Sequence, residues 1–174
     1  MILAWWPYIL TKKLMNIPKI GCLNFHPSYL PYNRGKHPNF WTLIENSPFG
    51  VSLHLINEKI DGGDIVFQKR IKKDWQDTGK TLHEKSKREI IDLFKKNYKK
   101  IINGRFPRKK QNLRKGSFHL AFEIDQASKI ELNKKYPARD LLNILKARTY
   151  SGFPAAWFID QGKKYEVTIE IKKV

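Results

Sequence analysis

The sequence is poor in cysteine, in acidic residues and in long apolar runs, and each shortage argues against a class of protein. Cys22 is the single cysteine among 174 residues, so we expect no disulfide framework and a reducing compartment such as the cytoplasm. No apolar run reaches the length of a membrane span, and the opening MILAWWPYIL lacks the basic start and the cleavage site of a signal peptide. Gly-rich phosphate loops and a Ser-His-Asp nucleophile elbow are also missing from the sequence.

The shortage of acidic residues gives the chain a strongly basic balance. The chain has 16 Asp and Glu residues and 34 Lys and Arg residues, which gives a formal net charge of +18. A basic surface concentrates polyanions, so a phosphate-rich partner has to be considered. Lysine outnumbers arginine and is spread over helical and loop segments, which is more typical of a solvated surface than of a nucleic-acid readout face.

The stretch from Gly21 to Asp64 carries most of the residues that could perform chemistry. Its first residues, Gly21 to Phe25, form an apolar run typical of a strand covered on both faces. Asn24 interrupts this run and His26 follows it, so two hydrogen-bonding side chains lie at the end of a predicted central strand. Because ligands of open α/β sheets bind at the carboxyl ends of the strands, this pair predicts a site there.

An Asn-x-His pair alone is more often structural, with Asn24 capping a loop and His26 satisfied by a local partner. Here a series of further motifs follows at short spacings, and their common order favours a functional site. The motifs are His26-Pro27-Ser28-Tyr29-Leu30-Pro31, Asn33-Arg34-Gly35, His37-Pro38-Asn39-Phe40-Trp41, Gly50-Val51-Ser52-Leu53-His54 and Asp61-Gly62-Gly63-Asp64-Ile65.

This series resembles the N10-formyltetrahydrofolate-dependent formyltransferases, which share Asn-x-His-Pro-Ser-x-Leu-Pro, Arg-Gly and an Asp-x-Gly turn after a strand. The similarity covers residues 3–72 and continues more weakly to the C-terminus. It implies an α/β fold, a partial Rossmann-like formyltransferase sheet with a small C-terminal helix and β-hairpin appendage. Members of the family carry a βαβαβ half before the first strand, so we expect an N-terminally truncated catalytic core.

The resemblance assigns catalysis to Asn24, His26 and Asp61. Moving a formyl group onto an amine passes through a tetrahedral carbon bearing an oxyanion, which needs hydrogen-bond donors and a proton acceptor. Asn24 and His26 are two residues apart, so both face one side of a strand, where the amide and a protonated imidazole can donate. Asp61, the first acid of Asp-x-Gly, would keep His26 charged or relay a proton through water.

The same resemblance gives N10-formyltetrahydrofolate as the formyl donor. It matches the pterin-binding residues of the family to two segments of this chain, one near the N-terminus and one before the Asp-Gly-Gly-Asp turn. The residues are Tyr8, Ile9, Leu10, Ile56, Asn57, Glu58 and Ile60.

Asp64, His37 and His54 are weaker candidates. Asp64 competes with Asp61 but is not the first acid of the motif, so a structural role is favoured. A metal site is not expected, because the spacings of His26, His37 and His54 do not form a tight ligand motif. The residues around His37 and His54 fit helix entry and strand packing instead.

The formyl acceptor is the less determined part of the prediction. The His37 to Trp41 element and the segment Gly116 to His119 resemble the nucleotide-sugar N-formyltransferases, which act on amino-dideoxy sugars carried on dTDP or a similar nucleotide, as in surface-glycan biosynthesis. Methionyl-tRNA formyltransferase is the alternative. The high positive charge of the chain favours it, but enzymes of that type usually append a barrel-like domain, and the tail of this chain is short for such a barrel. Glycinamide ribonucleotide is a third acceptor, made less favourable by the long basic tail. A homodimer is possible in each case.

A function of another class also fits the sequence. A non-catalytic remnant, or a basic nucleic-acid-binding module, would keep the fold while using the positive charge to bind RNA. Such a protein would bind tRNA in a salt-sensitive way without transferring a formyl group.

The chain divides by composition into a core over residues 1–104, a basic connector over 105–118 and a C-terminal appendage over 119–174. The core patterns predict a buried strand over 1–5, a helix over 12–16 capped by Thr11, strands over 19–25 and 65–72, and an amphipathic helix over 81–103. The tail predicts a helix over 138–147 and a hairpin with strands 156–159 and 165–171. A plain linker is the favoured role for the connector.

Overall fold

A computed structural model describes residues 1–4, 6 and 8–174 of the chain. It confirms the predicted α/β class with a small C-terminal hairpin. The elements are β1 (Ile2–Ala4), α1 (Lys12–Met15), β2 (Leu23–His26), β3 (Arg34–Gly35), α2 (Pro38–Ile44), β4 (Phe49–Leu55), β5 (Ile65–Ile71), α3 (Gly79–Ile102), a 3-10 turn (Leu113–Lys115), β6 (Phe118–His119), α4 (Glu123–Ala127), α5 (Ala138–Arg148), β7 (Ala156–Asp160) and β8 (Lys163–Val167).

The main sheet has the strand order β1-β2-β4-β5. β1 runs parallel to β2, whereas β4 pairs antiparallel with both β2 and β5. The register between β2 and β4 places Asn24 opposite His54 and His26 opposite Ser52. The polar residues of these two neighbouring strands therefore share one region of the sheet.

The first strand differs from its prediction. The apolar run at the N-terminus predicted a buried strand, but Ile2 is 40% exposed and β1 spans only Ile2–Ala4. The reason is its place in the sheet, because β1 is an edge strand of the described sheet and packs on one neighbour. Trp5, the last residue of the predicted strand, lies outside the described residues.

Helix α3 covers the sheet and supplies most of its apolar partners. Thr78 caps its N-terminus in a capping box, in which Thr78 and Thr81 exchange side-chain-to-backbone hydrogen bonds. The helix therefore begins two residues earlier than predicted, and it ends as predicted just before Gly104, whose φ is +65°. Its apolar face meets the sheet in one buried cluster, formed by Leu23, Phe25, Val51, Leu53, Val66, Ile90, Leu93 and Ile101.

A second apolar cluster attaches the C-terminal part of the chain to the core. Phe40, Trp41 and Leu43 of α2 pack with Leu82 of α3 and Ala147 of α5. Helix α5 therefore rests on two helices of the core. In the described part of the chain, no helix combines the length and the apolar character needed to cross a membrane.

The hairpin begins its second strand earlier than predicted. The predicted strand 165–171 is observed as Lys163–Val167. Gln161 and Gly162 both adopt positive φ, 46° and 74°, and form a two-residue turn that pairs Asp160 directly with Lys163. The lysines after the turn join the strand because β8 is largely exposed, so polar side chains are tolerated there.

The basic connector makes more contacts with the core than a plain linker would. Lys109 exchanges two backbone hydrogen bonds with Ile65, each 2.9 Å long. Further along, β6 pairs in parallel with β3, with Arg34 opposite Phe118 and Gly35 opposite His119. The segment therefore lies against the loops that follow β2 and β4.

Candidate active site

One cavity of about 740 Å³ opens beside the end of β2 and the turn after β4. Its wall contains residues from the N-terminal segment, the main sheet, the connector and the C-terminal part of the chain. All ten predicted site residues line it: Tyr8, Ile9, Leu10, Asn24, His26, Ile56, Asn57, Glu58, Ile60 and Asp61.

The Asp61 carboxylate is the centre of the polar cluster in this cavity. Its Oδ2 accepts a hydrogen bond from the Gly35 backbone N–H at 2.9 Å and lies 3.4 Å from His26 Nδ1. Its Oδ1 lies 3.3 Å from His54 Nε2 and 3.5 Å from Asn24 Nδ2. The turn that presents it is tight, because a Cβ at Gly63 would collide with the Leu55 carbonyl oxygen. Glycine at position 63 is therefore what allows this turn to approach the end of β4 so closely.

The surroundings of Asp61 favour its ionised form. Burial raises the pKa of this carboxyl, but the His26 and His54 rings and the Gly35 N–H act in the opposite direction and prevail. The pKa of Asp61 therefore lies well below its usual range. A fixed negative charge stands beside two imidazole rings at neutral pH.

His26 is oriented by contacts at both ring nitrogens. Its Nε2 lies 3.0 Å from the Asn33 carbonyl oxygen, which can only accept, so Nε2 carries a proton. Burial lowers the pKa of His26, while the charge of Asp61 opposes this effect. A neutral ring has its lone pair on Nδ1 and can take up a proton there. Once protonated, Nδ1 pairs with Asp61, so the ring can both accept and return a proton.

His54 belongs to this cluster, although the sequence pattern favoured strand packing for it. The side chain is 2% exposed, and its Nδ1 lies 2.8 Å from the Leu55 carbonyl oxygen. Its Nε2 is thereby turned toward Asp61 and lies 3.4 Å from Asn24 Nδ2. The sequence contained one indication, since Ser52 and His54 alternate on a central strand and must share a polar face. Only the antiparallel register with β2 shows that this face meets Asn24 and His26.

The predicted pterin segments form one end of the cavity. Tyr8 and Ile9 are largely exposed toward it, at 73% and 82%. Across the opening, residues 56–60 form the facing wall. Lys12 and Glu58 form an exposed salt bridge of 2.8 Å between the two segments. The structure thus brings together stretches that are more than 40 residues apart in the sequence.

A further part of the cavity lining comes mostly from residues that the motifs did not single out. Arg148 and the loop after α5 line it, with Tyr150 and Phe153 in edge-to-face contact at 4.6 Å between ring centroids. Lys36 and His37 line the same cavity. Tyr150, Phe153 and Arg148 come from the C-terminal part of the chain, whereas Lys36 and His37 follow β3.

Two of the weaker candidates lie where their predicted structural roles put them. His37 has a left-handed backbone and directly precedes Pro38 at the start of α2; burial lowers its pKa, and the neighbouring Arg148 and Lys36 lower it further. The Asp64 carbonyl accepts the Leu55 backbone N–H at 2.9 Å as part of the turn. Over residues 1–4, 6 and 8–174, no group of three or more potential ligand side chains is arranged to hold a metal ion.

Comparison with known proteins gives matches over most of the chain. Residues 1–94 match the family described as "Formyl transferase", and residues 123–173 match "N-formyltransferase dimerization C-terminal domain". A dTDP-4-amino-4,6-dideoxyglucose formyltransferase of Mycobacterium tuberculosis is 27% identical over 157 residues, which is 90% of this chain and 67% of that protein. A methionyl-tRNA formyltransferase of Halothermothrix orenii is 34% identical over 160 residues, which is 91% of this chain and 49% of that protein.

Solved structures give similar results. A 4-N formyltransferase from Francisella tularensis superimposes with a TM-score of 0.92 at 29% identity, covering 99% of this chain and 71% of that chain. A formyltransferase from Anoxybacillus kamchatkensis superimposes with a TM-score of 0.70 at 28% identity, covering 86% of this chain and 77% of that chain. It was solved with UDP-4,6-dideoxy-4-formamido-L-AltNAc and tetrahydrofolate. The chain thus spans about two thirds of the length of the sugar formyltransferase from Mycobacterium and about half of the tRNA relative.

Proposed function

The chain belongs to the formyl transferase family, and from this premise we propose that it transfers a formyl group from N10-formyltetrahydrofolate to the amino group of a dTDP-type amino-dideoxy sugar. One observation carries the proposal. Asn24 and His26 lie within hydrogen-bonding reach of Asp61 on the wall of one cavity, which is also lined by the predicted pterin segments and by a group of aromatic and basic residues. A two-substrate transfer needs this arrangement, with the reacting groups held between two binding regions.

The part of the cavity lined by the predicted pterin segments suits the formyl donor. A pterin ring is flat and carries hydrogen-bonding edges, so it fits a slot with apolar walls and backbone partners. Tyr8, Ile9 and Leu10 supply one wall and residues 56–60 supply the other. The relative from Anoxybacillus binds tetrahydrofolate, which supports the same donor here.

The aromatic and basic part of the lining suits a nucleotide-linked sugar. Lys36 and Arg148 supply positive charge for a diphosphate, and Tyr150 and Phe153 supply ring faces and edges for a base. Both halves of a nucleotide sugar thereby find partners of matching chemistry. Relatives that act on sugars carried by dTDP or UDP agree with this choice.

The proposed chemistry uses the cluster around Asp61. The acceptor amine adds to the formyl carbon, and Asn24 donates a hydrogen bond to the oxygen that becomes negative. His26, neutral at first, takes a proton from the attacking nitrogen at Nδ1, and Asp61 stabilises the imidazolium that results. The bond between the formyl carbon and N10 then breaks, and the proton is delivered to N10. The products are an N-formyl sugar and tetrahydrofolate.

Transfer to methionyl-tRNA is the second candidate. The net charge of +18 and the relative from Halothermothrix favour it. The aromatic and basic lining residues, Tyr150, Phe153 and Arg148 among them, favour the sugar, because they match the base and the diphosphate of a nucleotide. The non-catalytic RNA-binding module is a third outcome that the same assays resolve.

We further propose a homodimer formed through the C-terminal part of the chain, in the cytoplasm. The match to a dimerization domain over residues 123–173 supports this, as do the half-exposed apolar side chains of the hairpin, Ile159 and Tyr165. We propose the same three parts as the sequence predicts: a core over residues 1–104, a connector over 105–118 and an appendage over 119–174. Dimerization is assigned to the appendage. Light scattering after size-exclusion chromatography gives the mass, and a monomer at micromolar concentration contradicts the dimer.

Incubation of the chain with N10-formyltetrahydrofolate and dTDP-4-amino-4,6-dideoxyglucose tests the main proposal. Chromatography and mass spectrometry should detect an N-formyl sugar nucleotide, and Asn24→Ala should reduce kcat by about 100-fold. Ser52→Ala is the matched control, because Ser52 faces the same region but bonds to Leu30 and Ser28 instead of Asp61. Formylation of methionyl-tRNA alone would reverse the choice of acceptor, and salt-sensitive tRNA binding without transfer would favour the binding module.

A further inference from the structure

The basic connector places one side chain against the backbone of the Asp61 turn. Gln111 Nε2 donates to the Asp61 carbonyl oxygen at 2.8 Å and to the Gly63 carbonyl oxygen at 2.6 Å. Both hydrogens of the amide are therefore used on the two carbonyls that bracket Gly62. Gln111 lies 50 residues after Asp61 in the sequence, and no motif of the chain includes it.

The turn that Gln111 holds has an unfavourable backbone conformation. Asp61 has φ of +49°, in the left-handed region that non-glycine residues adopt only at a cost. Such a conformation persists where surrounding contacts fix it. Gln111 fixes the carbonyl of Asp61 itself, so it fixes the direction in which the carboxylate leaves the backbone.

The position of that carboxylate matters at the level of one ångström. Asp61 lies 3.4 Å from His26 Nδ1 and 3.3 Å from His54 Nε2, each at the outer limit of a strong contact. A rotation of the turn that lengthened either distance would remove the carboxylate from that ring. Gly35 N–H restrains Oδ2 from the other side, so the turn is held at the carboxylate by β3 and at the backbone by Gln111.

Space filling does not explain an amide at this position. Among the described residues, Gln111 Oε1 is buried and has no hydrogen-bond partner. An apolar side chain of similar size would pack there without leaving a buried oxygen unpaired. The two N–H bonds to the Asp61 turn are what the amide adds.

We propose, resting on the function proposed above, that Gln111 is a positioning residue that holds the Asp61 carboxylate against His26 during formyl transfer. Gln111 does not itself line the cavity or reach a substrate. Its loss should lower kcat by more than it raises the KM for the folate, because Gln111 bonds to the Asp61 and Gly63 carbonyls and to no residue assigned to the pterin walls. A displaced carboxylate of this kind costs about 10- to 100-fold in rate.

The variants Gln111→Ala and Gln111→Glu test this, with Asn112→Ala as the matched control. Gln111→Glu keeps the size but cannot donate when ionised and is repelled by two carbonyl oxygens. Its activity relative to wild type should therefore rise as the pH is lowered from about 8 to about 5.5, where a protonated carboxyl can donate. Asn112 is adjacent and caps the 3-10 turn through Arg114 N–H at 3.2 Å, so it reports on general loosening of the connector.

A readout that does not need catalysis separates this proposal from the proposed reaction. The chain has five histidines, so the ring protons of His26 can be followed by NMR during a pH titration. Because the Asp61 charge raises the pKa of His26, Gln111→Ala should lower that pKa, while Asn112→Ala should not change it. If Gln111→Ala lowers the pKa of His26 but the wild-type chain transfers no formyl group, the positioning of Asp61 by Gln111 is supported and the proposed reaction is rejected. Unchanged titration, or kcat within twofold of Asn112→Ala for both Gln111 variants, would overturn the positioning role.

Discussion

Replacing Asp61 by Asn removes one charge from the active-site cluster and changes almost no volume. In the structure the carboxylate lies 3.4 Å from His26 Nδ1. At an effective dielectric constant of about 20, two unit charges at this distance interact by about 5 kcal/mol. This value sets an upper limit on the loss when His26 becomes an imidazolium.

The expected loss of activity follows from that limit. Five kcal/mol corresponds to a factor of between about 10³ and 10⁴ in rate, and both groups already lose solvation by being buried, which reduces the net effect. We therefore expect kcat of Asp61→Asn to fall by about 10² to 10³, within the range for a general acid–base group. The KM of the acceptor should change less than kcat, because the contacts of the Asp61 carboxylate do not include its proposed partners, Lys36 and Arg148.

The assay is the initial rate of N-formyl sugar formation at saturating N10-formyltetrahydrofolate. Asp64→Asn is the control, because it is the same substitution in the same turn and leaves the Asp64 carbonyl bond to Leu55 N–H in place. It should retain activity within about threefold of wild type. A rate for Asp61→Asn within threefold of wild type, or an equal loss in both variants, would refute the assignment of Asp61.

Three further predictions concern stability and can be checked by denaturant unfolding of the chain. Thr78→Ala removes the capping box of α3 and should lower the free energy of unfolding by about 1 kcal/mol. Thr11→Ala, which removes the exposed cap of α1, should lower it by no more than a few tenths of a kcal/mol. Leu53→Ala opens a cavity at a fully buried position and should cost about 2–5 kcal/mol; a loss below 1 kcal/mol would contradict the packing described. Burial lowers the pKa of His26 below that of an unfolded histidine, so the unfolded state binds the proton first as the pH falls. The free energy of unfolding should therefore fall as the pH drops below about 6.5. A His26→Gln variant should lack this part of the pH dependence.

The sequence predicts those parts of the site that lie close together along the chain. Asn24 and His26 share a strand, and their common face follows from the two-residue period alone. The amphipathic helix over 81–103 follows from apolar periodicity, whereas the fold class followed from the family resemblance. The resemblance added Asp61 and the pterin segments, and the cavity contains all of them.

The parts that escaped prediction depend on contacts between distant segments. His54 joined the cluster because of the antiparallel register with β2, which no local pattern specifies. Gln111 comes from a connector that was predicted to be a plain linker, and Arg148 directly follows the predicted helix 138–147; no local pattern indicates that either residue contacts the site or its turn. β1 was predicted to be buried because its composition is apolar, but burial is set by the neighbours of a strand in the sheet.

The pairing of β3 with β6 also has a consequence for the order in which a ribosome completes this protein. Asn33 N–H donates to Ser117 Oγ across 84 residues of chain, and Gly35, which holds Asp61, lies opposite His119. At about 5–20 residues per second, the later partner emerges some 4 to 17 s after the earlier one. A nascent chain can therefore pair β2 with β4 while β3 still lacks its strand partner, and that pairing can support the Gly35 contact to Asp61 only after the segment that ends at His119 has been synthesised.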